Sequence, residues 1–371
     1  MEAHDDGTGT ALRAIAVVAI ALAGLGFSLL PPAERLDSLI LDAQWRLLRR
    51  FDARPAAEEI VIVGVDEATV QSIPEPPGLW HASLGRALSK LASVQPRAMA
   101  LALPLPERSM DGVKPGLDRA LFDGLAAAVE SGPFVAVLSI DARTRGARNI
   151  HLPYLALLGE SRLGIDLTAR DGDGVARRFS LLVPTEDGGF PTLEGRLCRA
   201  MKRACNDGLI HYALGRPYTY VPMKNVLAMT DASLLKRLFH DRIVLIGEAQ
   251  AFSDRVEVPL NLAAWEPPDA RHSPGVVVHA QTLRTALAEA APQEASRPLA
   301  LVLIMLAAAV FLVRPWPYAM LAGSVAGLAF FAGAIVALRG GVFLPAGSVL
   351  FTLLLAMSLR AATALRSGKK S

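Results

Sequence analysis

Two kinds of hydrophobic pattern alternate along the 371 residues of the chain. The first is the long uncharged run. Ala14 to Pro32 are 19 residues without a charge, and from Pro298 to Leu359 only Arg314 and Arg339 interrupt, leaving runs of 16, 24 and 20. A bilayer core takes about 20 apolar residues in a helix, with roughly 17–25 tolerated. The runs therefore predict four transmembrane helices, at 14–32, 298–313, 315–338 and 340–359. The short second one relies on Arg297 and Arg314 to reach the two interfaces. The small-x-small pattern of a cleavage site is poor around Leu30 to Ala33, so the first run reads as an uncleaved anchor.

The second kind of pattern fills residues 33–297. Leu36, Leu39, Ile40, Ala43, Leu47, Leu48 and Phe51 recur at helical spacing and predict an amphipathic helix rising from the membrane. Short β-branched runs follow, at Glu58 to Val65, Ala98 to Leu103, Phe134 to Ile140, Arg242 to Gly247 and Val276 to Val278. Helical periodicity returns between them, through Leu84 to Val94, Leu117 to Val129, Leu193 to Cys205 and Thr282 to Ala290. Alternation of this sort predicts an α/β domain, with a mostly parallel sheet covered by helices.

Composition changes the picture in one respect. A sequence pI near 9.0 invites a nucleic-acid partner. The excess, however, sits outside residues 33–297, where seven basic residues face three acids (Glu2, Asp5 and Asp6). The intervening stretch carries 31 basic and 32 acidic residues and is nearly neutral. The tail at 360–371 holds Arg360, Arg366, Lys369 and Lys370, so it and residues 1–13 are expected in the cytoplasm, with the large domain outside. The charge is a topology signal pointing to the lipid bilayer, and no nucleic-acid partner is expected.

Candidate chemistry is sparse. Nucleotide-binding glycine motifs, G-x-S-x-G and H-E-x-x-H are all missing, so no cofactor, metal or catalytic set is implied. Asp66 and Glu67 end the first β-run, where ligands of α/β sheets gather, although Asp66 also suits a helix cap. His81, Asp254 and His279 stand near other strand ends and complete a tentative ligand set. Asp171-Gly172-Asp173-Gly174 resembles half a calcium loop, but its twelfth position is Leu182, not Glu. It reads as a tight turn, with Arg177 and Arg178 as a weak anion candidate. Cys198 and Cys205, seven apart on one expected helix, would stand about 10 Å apart, beyond the reach of a disulfide. Two buried thiols are expected.

Several segments together resemble one family. IVIVGVDEATV (Ile60 to Val70), DGDGVARR (Asp171 to Arg178), FPTLEGRL (Phe190 to Leu197), RIVLIGEAQAFSDRVEVPL (Arg242 to Leu260) and SPGVVVHAQTL (Ser273 to Leu283) are similar to type 2 CHASE domains. These are the extracellular sensors of bacterial adenylate cyclases, histidine kinases and serine/threonine kinases. The resemblance implies one span before the sensor and three after it, in a bacterial inner membrane. Two departures stand out. Ala102 occupies the position where the family usually places an aspartate. In addition, 12 residues follow Leu359 where familiar members carry an effector. The expected function is a non-enzymatic transmembrane sensor or accessory signalling protein acting through a partner in trans, its signal passing through spans that Gly323 and Gly327 let pack closely, with a homo-oligomer allowed. An outer enzyme using Asp66, Glu67 and His279, and an envelope assembly factor, are the alternatives.

Overall fold

The computed structural model describes residues 5–56, 60–140, 147–184, 189–252 and 254–368. Glu2, Glu58, Lys369 and Lys370, which figure in the expectations above, lie outside the described residues. The chain divides into two compact units, Met1–Phe51 with Pro292–Ser371 (the helical unit) and Asp52–Ala291 (the α/β unit). The helical unit opens with α1 (Asp5–Phe27) and α2 (Pro31–Phe51). An 80° bend separates the two helices. Pro31 and Pro32 cause the break, because proline removes backbone donors and disfavours helix in the residue before it. Ser28, Leu29 and Leu30 fill the elbow and bond back to Gly24, Gly26 and Phe27.

The α/β unit runs β1 (Ile60–Val65), α3 (Glu67–Ser72), α4 (His81–Ala92), β2 (Ala98–Ala102), α5 (Leu117–Ser131), β3 (Phe134–Leu138), α6 (Leu152–Leu158), β4 (Leu163–Ile165), α7 (Leu193–Ala200), β5 (Tyr220–Pro222), α8 (Met223–Ala228), α9 (Ala232–Phe239), β6 (Ile243–Glu248) and α10 (Gly275–Leu287). The six strands form one sheet in the order β4-β3-β2-β6-β1-β5, with every neighbouring pair parallel. Parallel pairing requires the crossover helices that the sequence interleaves. Val63, Met99, Leu101, Phe134, Val244 and Ile246 pack on one face with residues of α4, α5, α8 and α9. Strand side chains alternate, so Gly247 faces the other side, where Val276 of α10 lies against it.

Two local expectations are corrected. Val276 to Val278 is helix, not strand, because all thirteen residues of α10 are buried. A helix enclosed on every side can place apolar residues side by side, so Val276-Val277-Val278 reads as a strand run. Cys198 and Cys205 form a disulfide, with Cα atoms 6.4 Å apart. The helix expected to reach Cys205 ends at Ala200, and Lys202 turns the chain back with φ of 56°. Closing so short a loop constrains the unfolded chain by about 2–3 kcal/mol. The double variant Cys198→Ser/Cys205→Ser is therefore expected to melt about 5–10 °C lower by calorimetry.

The helical unit resumes with α11 (Arg297–Ala309), α12 (Trp316–Arg339) and α13 (Ala346–Gly368). Among the described residues, two helices, not the four expected, are long and apolar enough to cross a membrane, at Trp316–Arg339 and Ala346–Arg366; the bent pair α1–α2 would count as a third. Helix α1 stops at the elbow, and α11 ends in a 3-10 turn before Arg314-Pro315. Both still pack with α13 through Val17, Ile20, Ala21, Ile304, Ala308, Val349 and Leu353. Gly323 and Gly327 are occupied within the chain, lying against Met357 and Leu353 of α13.

Candidate functional site

The candidate residues fall into four places, three of them along the carboxyl ends of the strands. At the end of β1, Asp66 caps α3, accepting from the Thr69 backbone at 2.8 Å and its hydroxyl at 2.6 Å. The Tyr220 hydroxyl donates to the other carboxylate oxygen at 3.1 Å. Burial, reinforced by Asp66, pushes that phenol up to about 12. Glu67 reaches sideways and accepts from the Ala251 backbone at 2.6 Å. The pair thus fastens α3 and the loop after β6 to the end of β1.

His279 and Asp254 come together at that loop. His279 stands on the second turn of α10 and is 3% exposed. Its Nδ1 lies 2.6 Å from Glu194 Oε1 and its Nε2 3.0 Å from Asp166 Oδ1. Ionised carboxylates only accept, so two such partners call for a proton on each ring nitrogen. Burial alone would push the imidazole down, but Glu194 and Asp166 override it and hold His279 well above its ordinary value. Burial likewise works to raise Asp166, but its hydrogen bond with His279 wins and lowers it. Asp254 goes the other way. Loss of water around its carboxyl raises it, helped by Asp166 and Glu248 against His279 and Arg170.

Local sequence makes this geometry. Asp254 takes φ of 42°, a conformation rare for non-glycine residues, and its carboxylate sits where a Cβ at position 275 would be. Only glycine lets it approach the start of α10 so closely. Ala102, at the end of β2, pairs with Gly247 in the next strand, so the carboxylate missing there is missing from this same edge.

His81 belongs elsewhere. It begins α4 and lies 3.9 Å from Asp118 of α5, which also faces His151 at 3.5 Å. Burial holds His81 below its ordinary value despite Asp118 and Asp111. Asp118 is lowered: burial opposes this, but Ser109, the Met110 backbone and the two histidines outweigh it. Ser109 and His151 also line a cavity of about 840 Å³ with Arg108, Arg148, Leu155 and Phe190. Asp171, Asp173, Arg177 and Arg178 form the fourth place. Arg177, 1% exposed, meets Asp171 at 3.2 Å and Asp173 at 2.8 Å, and Arg178 meets Asp171 at 2.7 Å. The acids and bases of this turn neutralise one another.

Sequence reasoning missed Asp166 and Glu194. Asp166 follows a strand of three residues, too short to read as one. Glu194 sits in the first turn of α7, where an acid is favoured by the helix dipole and attracts no notice. Among the described residues, no group of three or more His, Cys, Asp or Glu side chains could hold a metal ion. No curated protein and no solved structure matches the chain. A family model does: the CHASE2 domain matches residues 14–314, most of the length, and the chain belongs to the CHASE2 domain family.

Proposed function

We propose that the chain is a membrane-anchored, non-catalytic sensor. Its α/β unit lies outside the cytoplasm, detects a small molecule or protein at the sheet edge around His279, and signals to a partner protein. CHASE2 is a family of extracellular sensor domains, which supports the class of function. The observation that carries the reading is the placement of α10. It holds His279 between two carboxylates at the sheet edge, and residues 288–296 join its end directly to the apolar helix that follows, α11. Both ring nitrogens of His279 are engaged, which favours a conformational role over a free catalytic base.

Orientation follows from charge within the helical unit. Arg360 donates to the Val313 carbonyl at 3.0 Å, and Arg314 feels the charges of Arg13 and Arg360. These three arginines mark the end read as cytoplasmic. The other end holds the elbow, where the Gly347 backbone donates to Asp37 at 2.6 Å. With the native cysteines bridged, single cysteines report the topology. Gln71→Cys should react with an impermeant maleimide in intact cells, and Ala362→Cys only after permeabilisation. Labelling of Ala362→Cys in intact cells would reverse the orientation. Cross-linking in native membranes should also recover a separate signalling protein; recovery of homo-oligomers alone would count against a partner in trans.

A further inference from the structure

Helix α2 carries two opposed faces. Leu41, Trp45 and Leu48 are buried, at 5% exposure or less. On the other side Leu39 is 66% exposed, Leu47 36% and Phe51 75%. At about 100° per residue, Leu36, Leu39, Ile40, Ala43, Leu47 and Phe51 form one stripe roughly 120° wide. Arg35 and Arg46, both exposed, lie along one border of that stripe, and the exposed Arg50 projects just inside it, between Leu39 and Ala43. Among the described residues of α2, the acid next to this border is Asp42, which is buried.

The setting of the helix gives this stripe an occupant. Helix α2 turns 80° from α1, and α1 packs with α11 and α13 in one bundle. A bundle whose long helices cross a bilayer therefore leaves α2 close to the bilayer plane. The exposed Leu29 and Leu30 at the elbow connect its apolar stripe to the exposed apolar surface of α1, at Leu22 and Leu25. Asp37 fixes the start of α2 to Gly347 at the start of α13, so the stripe begins at the end of the bundle away from Arg13, Arg314 and Arg360. An apolar stripe bordered by arginines, lying in plane at a helix-bundle end, has the layout of an interfacial helix.

We propose that α2 is an interfacial anchor for anionic phospholipid. Leu39, Leu47 and Phe51 sit at the acyl boundary of the outer leaflet, and Arg35, Arg46 and Arg50 hold lipid phosphates. The clamp between Asp37 and Gly347 then ties the lipid surface to α13, so that the charge of the leaflet bears on the helix bundle. This inference rests on the reading of the helical unit as membrane-embedded.

The test uses the full-length protein in nanodiscs containing one-quarter phosphatidylglycerol, with single fluorophores at Leu39→Cys, Leu47→Cys and Leu328→Cys. Leu328, 74% exposed on α12, reports the bilayer itself. Lipids with a shallow nitroxide should quench positions 39 and 47, and lipids with a deep nitroxide should quench position 328. Quenching of 328 combined with purely aqueous quenching at 39 and 47 overturns the interfacial helix alone. Shielding of 39 and 47 from both quenchers overturns it too, in favour of a protein contact. Aqueous quenching of 328 overturns the membrane reading beneath it. Charge is tested separately by native mass spectrometry of retained lipid. Arg35→Gln/Arg50→Gln should lose preference for phosphatidylglycerol by on the order of fivefold per arginine, and an unchanged preference overturns the phosphate contact.

Discussion

Replacing His279 by leucine is expected to destabilise the α/β unit by about 3–5 kcal/mol. Glu194 is 4% exposed, and its carboxylate lies 2.6 Å from His279 Nδ1. Leucine would fill the space but leave that carboxylate buried without its cation, which costs more than the loss of the interaction itself. Asp166 is partly exposed and can recover water, so the loss falls mainly on Glu194. The double variant His279→Leu/Glu194→Leu should regain most of the stability, because it removes both charges together. Denaturant unfolding of the full chain measures both. A leucine variant with the wild-type midpoint would remove His279 from any coupling of β4, α7 and α10.

The pH dependence of the same comparison has a definite sign. His279 is held above its ordinary value in the folded state. Its contribution is therefore complete below about pH 6.5 and is lost as pH rises through the folded value. Asp166 is held below its ordinary value, so its contribution is complete above about pH 4 and is lost as pH falls through its folded value. The stability gap between wild type and His279→Leu should be widest from about pH 4 to 6.5 and should narrow on the alkaline side. A gap that widens with alkali would mean that His279 is neutral when folded. With the same sign, alkali would loosen α10 where it meets the sheet.

Some of this was open to sequence reasoning, and the division has physical causes. Strands such as β1 and β6 are buried on both faces and read directly as β-branched runs. Helices α4 and α5 keep one polar side, so their periodicity shows. Helix α10 has no exposed side, and its three valines imitate a strand. Asp254 and His279 were within reach as isolated polar residues at strand ends. Their partners were not, because Asp166 and Glu194 meet His279 only after crossovers of 113 and 85 residues. The span count differs at the two shorter apolar helices: hydrophobic runs do not show that α1 meets α2 across an 80° bend, and α11 with its 3-10 turn falls below spanning length. The aspartates and arginines of 171–178 looked like a site because sequence cannot show that they satisfy one another.

Substitution of Gly124 by alanine sets two rules against each other, and packing should win. Helix propensity alone favours alanine over glycine by about 1 kcal/mol in the middle of a helix. Yet a Cβ on Gly124 would collide with the backbone of Gly85, and one on Gly85 with the Ala120 carbonyl. Helices α4 and α5 therefore meet backbone to backbone at this point, flanked by the buried Leu88, Leu91, Leu121 and Leu125. No side chain is present there to rotate away, so the helices must separate. Overpacking costs about 1–3 kcal/mol where neighbours can adjust, and Gly124→Val should reach the top of that range or exceed it. Gly78, with nothing within 4 Å of its Cβ position, supplies the control: Gly78→Ala should stay within about 0.5 kcal/mol of wild type. The helix pair also sets His81 of α4 against Asp118 of α5, so separation should lengthen that contact and move the His81 titration in NMR. A stabilised Gly124→Ala protein with an unmoved His81 would show that the two helices do not depend on this contact.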